Sequence, residues 1–240
     1  MCPTINLVQN IHVINAEPTF LPHLRKLHAH FPRLRIVLEH ATTRAAVETV
    51  RSLGATVACT ITAHHLALTV DDWAGQSWNY CKPVAKFPDD REALREVIRE
   101  GKFEPSHCET RRLLAALGHP RFFLGSDSAP HPSIKKSTSS PDHGCAAGIY
   151  TSPILLPLMA HLLESFGALD KLEGFVSKNG RAFYKKEVVS TNGGNDIVRL
   201  RRRKAVVTRK YSLREQEVVP FWSGMDLDWE IDYRDDHMRI

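Results

Sequence analysis

The sequence predicts an α/β fold in which short buried strands alternate with helices, and three observations predict it. Three apolar runs, Ile36 to Glu39, Thr56 to Thr62 and Phe122 to Leu124, have the length and the β-branched or aromatic content of strands buried on both faces. Two stretches between them, near Thr43 to Ser52 and Asp89 to Glu100, carry helical periodicity. Two of the runs also end on residues that do chemistry. Arg35-Ile36-Val37-Leu38-Glu39 leads into His40, and Phe122-Phe123-Leu124 leads into Gly125-Ser126-Asp127-Ser128-Ala129-Pro130-His131. Enzymes built as barrels of parallel strands keep their chemistry at the C-terminal strand ends. A His and an Asp delivered there are metal-type ligands, and the pair points to metal-assisted hydrolysis.

One His after a strand is more often a core or capping residue than a ligand. The order of several motifs along the chain carries more weight. Leu38-Glu39-His40, Thr60-Ile61-Thr62-Ala63-His64-His65-Leu66, Asn79-Tyr80-Cys81-Lys82-Pro83-Val84, Gly125 to His131 and Gly144-Cys145-Ala146-Ala147-Gly148 follow one another in register. This set resembles the dihydroorotases, and most nearly the homodimeric kind of bacteria and fungi, a branch of the amidohydrolase superfamily. The resemblance runs from about Ile14 to the C-terminus, with unmatched stretches. It implies that the chain is the C-terminal portion of a (β/α)8 TIM-type metallo-dependent hydrolase barrel with a small C-terminal β appendage. Residues 1–189 are then the partial barrel and 190–240 the tail element.

The resemblance also implies roles for particular residues. His40 resembles the family's metal-ligand His at the end of the sixth strand, and Asp127 its Asp at the end of the eighth. Asp127 is then both a metal ligand and the catalytic residue that moves the proton between the attacking water and the ring nitrogen. His131 resembles the residue that holds the substrate carboxylate. The backbone at Lys82 and Ala147 resembles the groups that hydrogen-bond the pyrimidine ring. The side chain at Lys82 differs from the Leu of some relatives, which a backbone contact tolerates. The implied reaction is the reversible hydrolysis of dihydroorotate to N-carbamoyl-L-aspartate, with two zinc ions per site, in a cytoplasmic homodimer. The second reading is a non-catalytic homologue that keeps the substrate-side loops and only binds.

The residue types suit this chemistry without the family. Opening a cyclic amide needs a nucleophile stronger than neutral water, which a bound divalent metal can generate near neutral pH, and a carboxylate beside the metal can carry the proton. An anionic substrate needs a donor or cationic group, and His131 stands close behind Asp127. Its plainer reading is a turn residue between Pro130 and Pro132.

Several expected ligands have no match. The family's first-strand His-x-His pair is missing, because His28 and His30 lie in a stretch that reads as an amphipathic helix with Leu24, Leu27 and Phe31. They are expected to be surface histidines. The fourth-strand Lys and the His-Gly-Glu of the fifth strand are missing too, although His12 lies near that point. The chain is therefore expected to be N-terminally truncated and inactive on its own, since a zinc site takes at least three protein ligands.

The remaining features set limits. The 240 residues include five cysteines with no Cys-x-x-Cys spacing, which suits a reducing compartment, and no apolar run approaches the ~20 residues that span a bilayer. Glu109 to Leu117 reads equally as a short added helix or as translated intron sequence, whereas Ser133 to His143 is expected to be a mobile loop and Ser190 to Asp196 a turn cluster. Ile197 to Val207 and Val218 to Trp222 are expected to form the β appendage. Arg199, Arg201, Arg202, Arg203 and Lys204 form the sharpest basic cluster in a chain of net charge +5. No aromatics interleave with them for base stacking, and Val198, Leu200, Val206 and Val207 break them into strand-like alternation. They are expected to be a solvated strand face, not a nucleic-acid surface.

Overall fold

The structure is a computed structural model that describes residues 10–100, 118–137, 144–186 and 197–232. Strands β1 (Ile36–Leu38), β2 (Val57–Ile61) and β3 (Phe122–Leu124) form one parallel sheet in the order β1-β2-β3. Ile36 stands opposite Val57, and Cys59 opposite Phe122. Every residue of the central strand is buried, which is why Val57-Ala58-Cys59-Thr60-Ile61 reads as an unbroken run and not as an alternation. Among the described residues, β1 and β3 each pair on one side only.

Parallel strands need crossovers, and here helices supply them. Helix α1 (Ala16–His30) precedes β1, and α2 (Arg44–Ser52) joins β1 to β2. After β2 come α3 (Ala63–Ala67), α4 (Val70–Trp73) and α5 (Pro88–Arg99). The two expected helices correspond to α2 and α5. Thr43 caps α2 by accepting the Ala46 N–H on its side chain, a contact worth about 1 kcal/mol. Pro88 opens α5, with Asp89 and Asp90 in its first turn and Arg99 in its last, each sign matched to the helix dipole. Val47 and Val50 of α2 join Leu94, Val97 and Ile98 of α5 in the buried core. His28 and His30 ride on α1, as expected. The His28 Nε2 accepts the Gly54 N–H at 3.2 Å, and the His30 Nδ1 donates to the Lys26 carbonyl at 2.8 Å.

Beyond β3 lie α6 (Ser133–Lys136), α7 (Leu155–Ser165) and a π-helical turn, Gly174–Lys178, that runs into α8 (Asn179–Tyr184). This last helix packs against β3. A Cβ at Gly180 would lie 3.3 Å from the Phe123 ring. The described residues end in antiparallel pairs, β4 (Leu200–Val206) with β7 (Asp226–Ile231) and β5 (Tyr211–Leu213) with β6 (Gln216–Val218).

Two expectations change. Of Val218 to Trp222 only Val218 lies in a strand, and Phe221 and Trp222 form a turn that buries Phe221 in the core. The start of the expected loop Ser133 to His143 is α6, with Lys136 buried. The stretches Glu109 to Leu117 and Ser190 to Asp196, the 189/190 boundary and the opening Met1 to Gln9 lie outside the described residues. The basic strand is solvated and paired as expected. Arg201 and Arg203 meet Glu230, Lys204 meets Asp226 at 2.6 Å, and Arg202 reaches Glu164 of α7.

At the N-terminal edge of the sheet, Arg121 gathers carbonyls from the turn between α2 and β2. Its guanidinium donates to the carbonyls of Val50, Arg51, Leu53, Gly54 and Val57. Removing it leaves several acceptors without a charged donor, so Arg121→Ala should destabilise the fold by at least ~1.5–3 kcal/mol, the worth of one charge-assisted bond. Urea midpoints of the two proteins measure this. An unchanged midpoint would show that water replaces Arg121 without cost.

Candidate active site

His40 and Asp127 hold equivalent positions, each just past the C-terminal end of a strand. Both have left-handed backbones, with φ of 42° at His40 and 40° at Asp127. For a residue with a Cβ that conformation costs about 1–2 kcal/mol, so the surrounding contacts must hold it. Such strain collects where a side chain has to be aimed.

The contacts are visible. Thr60, on the central strand, accepts the His40 N–H at 2.7 Å and donates its hydroxyl to Glu39 Oε2 at 2.5 Å. The same side chain limits the end of β3, because a Cβ at Gly125 would fall 2.7 Å from the Thr60 Cβ. Only glycine lets that strand pass. Behind His40, the Glu17 carboxylate of α1 accepts the Thr42 N–H and the hydroxyls of Thr42 and Thr43. Next to Asp127, the Ser128 hydroxyl accepts the N–H groups of Thr151 and Ser152 at 3.0 and 2.9 Å.

The Asp127 carboxyl is pushed above its ordinary range, chiefly by partial burial; His40 pulls it down and Glu39 pushes it up. Its side chain remains 36% exposed. The His40 Nδ1 is buried and has no hydrogen-bond partner. A buried nitrogen without a partner is costly unless something binds it, and a cation fits an imidazole and a carboxylate facing one region.

His64 is a third member that the sequence does not single out. It is fully buried, neither ring nitrogen has a partner, and its Nε2 lies 3.9 Å from Asp127 Oδ2. Burial, followed by the neighbouring His65, His40 and Lys136 charges, holds it well below the ordinary histidine range. It is thus a neutral imidazole, the form that binds metals or donates one N–H.

His64, His65 and Cys81 also bring one ligand atom each within 4.8 Å of one another. Two of the three are committed elsewhere. The His65 Nε2 donates to the Pro83 carbonyl and its Nδ1 bonds the Thr62 hydroxyl, both at 2.9 Å. The Cys81 thiol is pushed up to about 12 by burial, whereas a metal takes the thiolate. This trio fits a packed polar core better than a metal site, and His64 is its one uncommitted donor.

The other expected residues meet in a second network. The His131 Nε2 donates to the Ala147 carbonyl at 3.0 Å, and the Gly148 N–H donates to the Tyr80 carbonyl at 3.0 Å, two residues before Lys82. His131, Ala147 and the Lys82 segment are thereby joined, with the Lys82 side chain exposed. His131 is not only a turn residue. Its bond to Ala147 leaves Nδ1 as the nitrogen free for a ligand.

Parallel strands joined by helices, with functional groups at the C-terminal strand ends, define an α/β scaffold of the kind that enzymes use, and a solved structure shares the fold. An L-hydantoinase from Arthrobacter aurescens superposes with a TM-score of 0.65 at 16% identity, covering 90% of this chain and 46% of that one, which shows the fold alone. Within that class the chain is homologous to the dihydroorotases. It is 48% identical to the dihydroorotase of Mycosarcoma maydis over 94% of this chain and 64% of that protein, and 37% identical to that of Saccharomyces cerevisiae over 92% and 57%. The crystal structure of S. cerevisiae dihydroorotase with 5-fluoroorotic acid superposes with a TM-score of 0.79 at 39% identity, covering 92% of this chain and 58% of that one. The chain thus spans about three fifths of the length of these relatives. No family model matches it.

Burial of neutral histidines should make the fold acid-sensitive. His65 falls from 6.5 to about 3 and His119 from 6.5 to about 4, both chiefly through burial. Between those values and 6.5 the unfolded chain binds protons that the folded chain does not, so stability is full above 6.5 and falls as pH drops towards 4. Urea midpoints between pH 7 and 4 should decline, and less steeply in His119→Gln. Equal slopes in the two proteins would contradict the assignment.

Proposed function

We propose that the protein carrying this chain is a zinc-dependent dihydroorotase that reversibly hydrolyses the cyclic amide of dihydroorotate to N-carbamoyl-L-aspartate in pyrimidine synthesis. The observation that carries this reading is the His40 and Asp127 pair, held at two strand ends by strained backbones in a chain 48% identical to a named dihydroorotase. Parallel β1, β2 and β3 are read as the last three of eight barrel strands, with residues 1–189 as the barrel portion and 190–240 as its β appendage. No helix among the described residues is long and apolar enough to cross a membrane. A cytoplasmic homodimer with two zinc ions per site belongs to the same reading.

His40 and Asp127 would hold the metal, with further ligands beyond these two. Zinc, when bound, supplies Lewis acidity and lowers the pKa of the attacking water. The chain's own residues do the rest. Asp127 takes the proton from the attacking water and passes it to the ring nitrogen as the amide opens; a carboxyl raised by burial is suited to exchanging protons in both directions. His131 keeps Nε2–H on the Ala147 carbonyl, so its imidazolium form offers Nδ1–H to the substrate carboxylate. The backbone at Lys82 and Ala147 meets the ring. An acid bearing a pyrimidine ring, 5-fluoroorotic acid, occupies the S. cerevisiae relative, which supports an anionic ring substrate.

Two substitutions in the gene product containing this chain test the roles. Asp127→Asn should lower turnover by more than the ~10²–10⁴-fold of acid–base catalysis alone, because it also removes a charged ligand. Near-normal turnover would show the site to be misassigned. His131→Ala should lower kcat/KM tenfold to hundredfold, the ~1.5–3 kcal/mol of a charge-assisted bond, and leave bound zinc unchanged. A fall in metal content would make His131 a ligand instead.

A further inference from the structure

Lys136 is an ammonium buried in the interior, 4% exposed, and no carboxylate pairs with it among the described residues. An unpaired buried charge is costly, and proteins keep one where its position is needed. Its Nζ donates to the Tyr80 carbonyl and to the Gly148 carbonyl, each at 2.8 Å. Those two segments are distant in sequence and carry the residues expected to face the ring, Lys82 on one and Ala147 on the other. The Tyr80 carbonyl also accepts the Gly148 N–H, so the ammonium closes a three-way junction. Lys136 belongs to α6, which is tied to the second segment again where the Ala146 N–H donates to the Lys135 carbonyl at 2.8 Å. The same segment holds His131 through the Ala147 carbonyl.

We propose that Lys136 is a positioning residue for substrate binding: its ammonium fixes the Tyr80–Lys82 segment against Ala147–Gly148, and so sets the spacing of the backbone groups that receive the ring. The proposal rests on the functional reading above, but the junction itself does not. A charged donor is suited to this place because each bond to a carbonyl is charge-assisted and one ammonium serves two acceptors at once. Lys136 makes no hydrogen bond to His40 or Asp127, and although its charge reaches His64, its two hydrogen bonds go to the Tyr80 and Gly148 carbonyls, so the proposal places the main effect of its loss on binding.

The test uses the gene product containing this chain, with K136M and K136R. K136M should raise KM for dihydroorotate and weaken 5-fluoroorotic acid at least tenfold, while kcat at saturation changes less than threefold and bound zinc is unchanged. K136R, which keeps a cation able to reach both carbonyls, should stay within about fivefold of the parent. Amide hydrogen exchange at Gly148 should speed up in K136M without any ligand. A fall in kcat with KM unchanged, a loss of zinc, or unaltered Gly148 exchange would overturn the proposal. Should K136M fail to fold, a folded K136R that binds 5-fluoroorotic acid more than tenfold weaker than the parent would overturn it too. If the parent neither turns over dihydroorotate nor binds 5-fluoroorotic acid, the functional reading fails, and the exchange comparison still decides the junction.

Discussion

The Thr60 side chain is the contact on which the arrangement of His40 and Asp127 depends. It sits on the central strand, between the two strands that carry the candidate ligands, and it constrains both. Its hydroxyl accepts the His40 N–H and donates to Glu39, which holds the left-handed turn at the end of β1. Its Cβ occupies the space that any side chain at residue 125 would need. A residue of one central strand thereby sets where two neighbouring strand ends turn. Thr suits the place because it is β-branched, fits a buried strand and still brings one hydrogen-bonding oxygen.

Burial then sets the protonation states around that pivot. His64, His65 and Cys81 are all buried, and burial disfavours each one's charged form. The consequence is a neutral, largely self-satisfied floor beneath a carboxyl that remains partly exposed. His65 and Cys81 spend their donors on the Pro83 carbonyl, at 2.9 and 3.2 Å, which binds the segment after Lys82 to the floor. Asp127 differs from them in being reachable from solvent, which the proposed exchange of protons with a substrate requires.

The side proposed to meet the substrate is built differently, from backbone atoms held by side-chain donors. His131 and Lys136 both spend hydrogen bonds on main-chain carbonyls of the 147–148 stretch. Backbone groups make good ring-binding donors and acceptors only when their segment is fixed, because a free loop would lose its order on binding. Gly148 fits this crowding, since a Cβ there would lie 2.7 Å from His131 Nε2.

The sequence by itself determined the α/β alternation, the three strands, α2 and α5, and the placing of His40 and Asp127 at strand ends. These follow from local pattern: a short apolar run that stops at a polar residue fixes where a strand ends, whatever surrounds it. The roles proposed for Lys82, His131 and Ala147 come only from the order of motifs, since nothing local marks a backbone atom as a binding group. The tertiary structure alone decided the rest. Lys136 sits in a Lys-, Ser- and Pro-rich stretch that reads as loop, and His64 stands beside a second His in an ordinary helix start. What distinguishes them is burial and a polar neighbour 12 to 63 residues away, Gly148 and Tyr80 for Lys136 and Asp127 for His64. Contacts across such separations depend on how the strands and helices pack, and no periodicity in the chain encodes them.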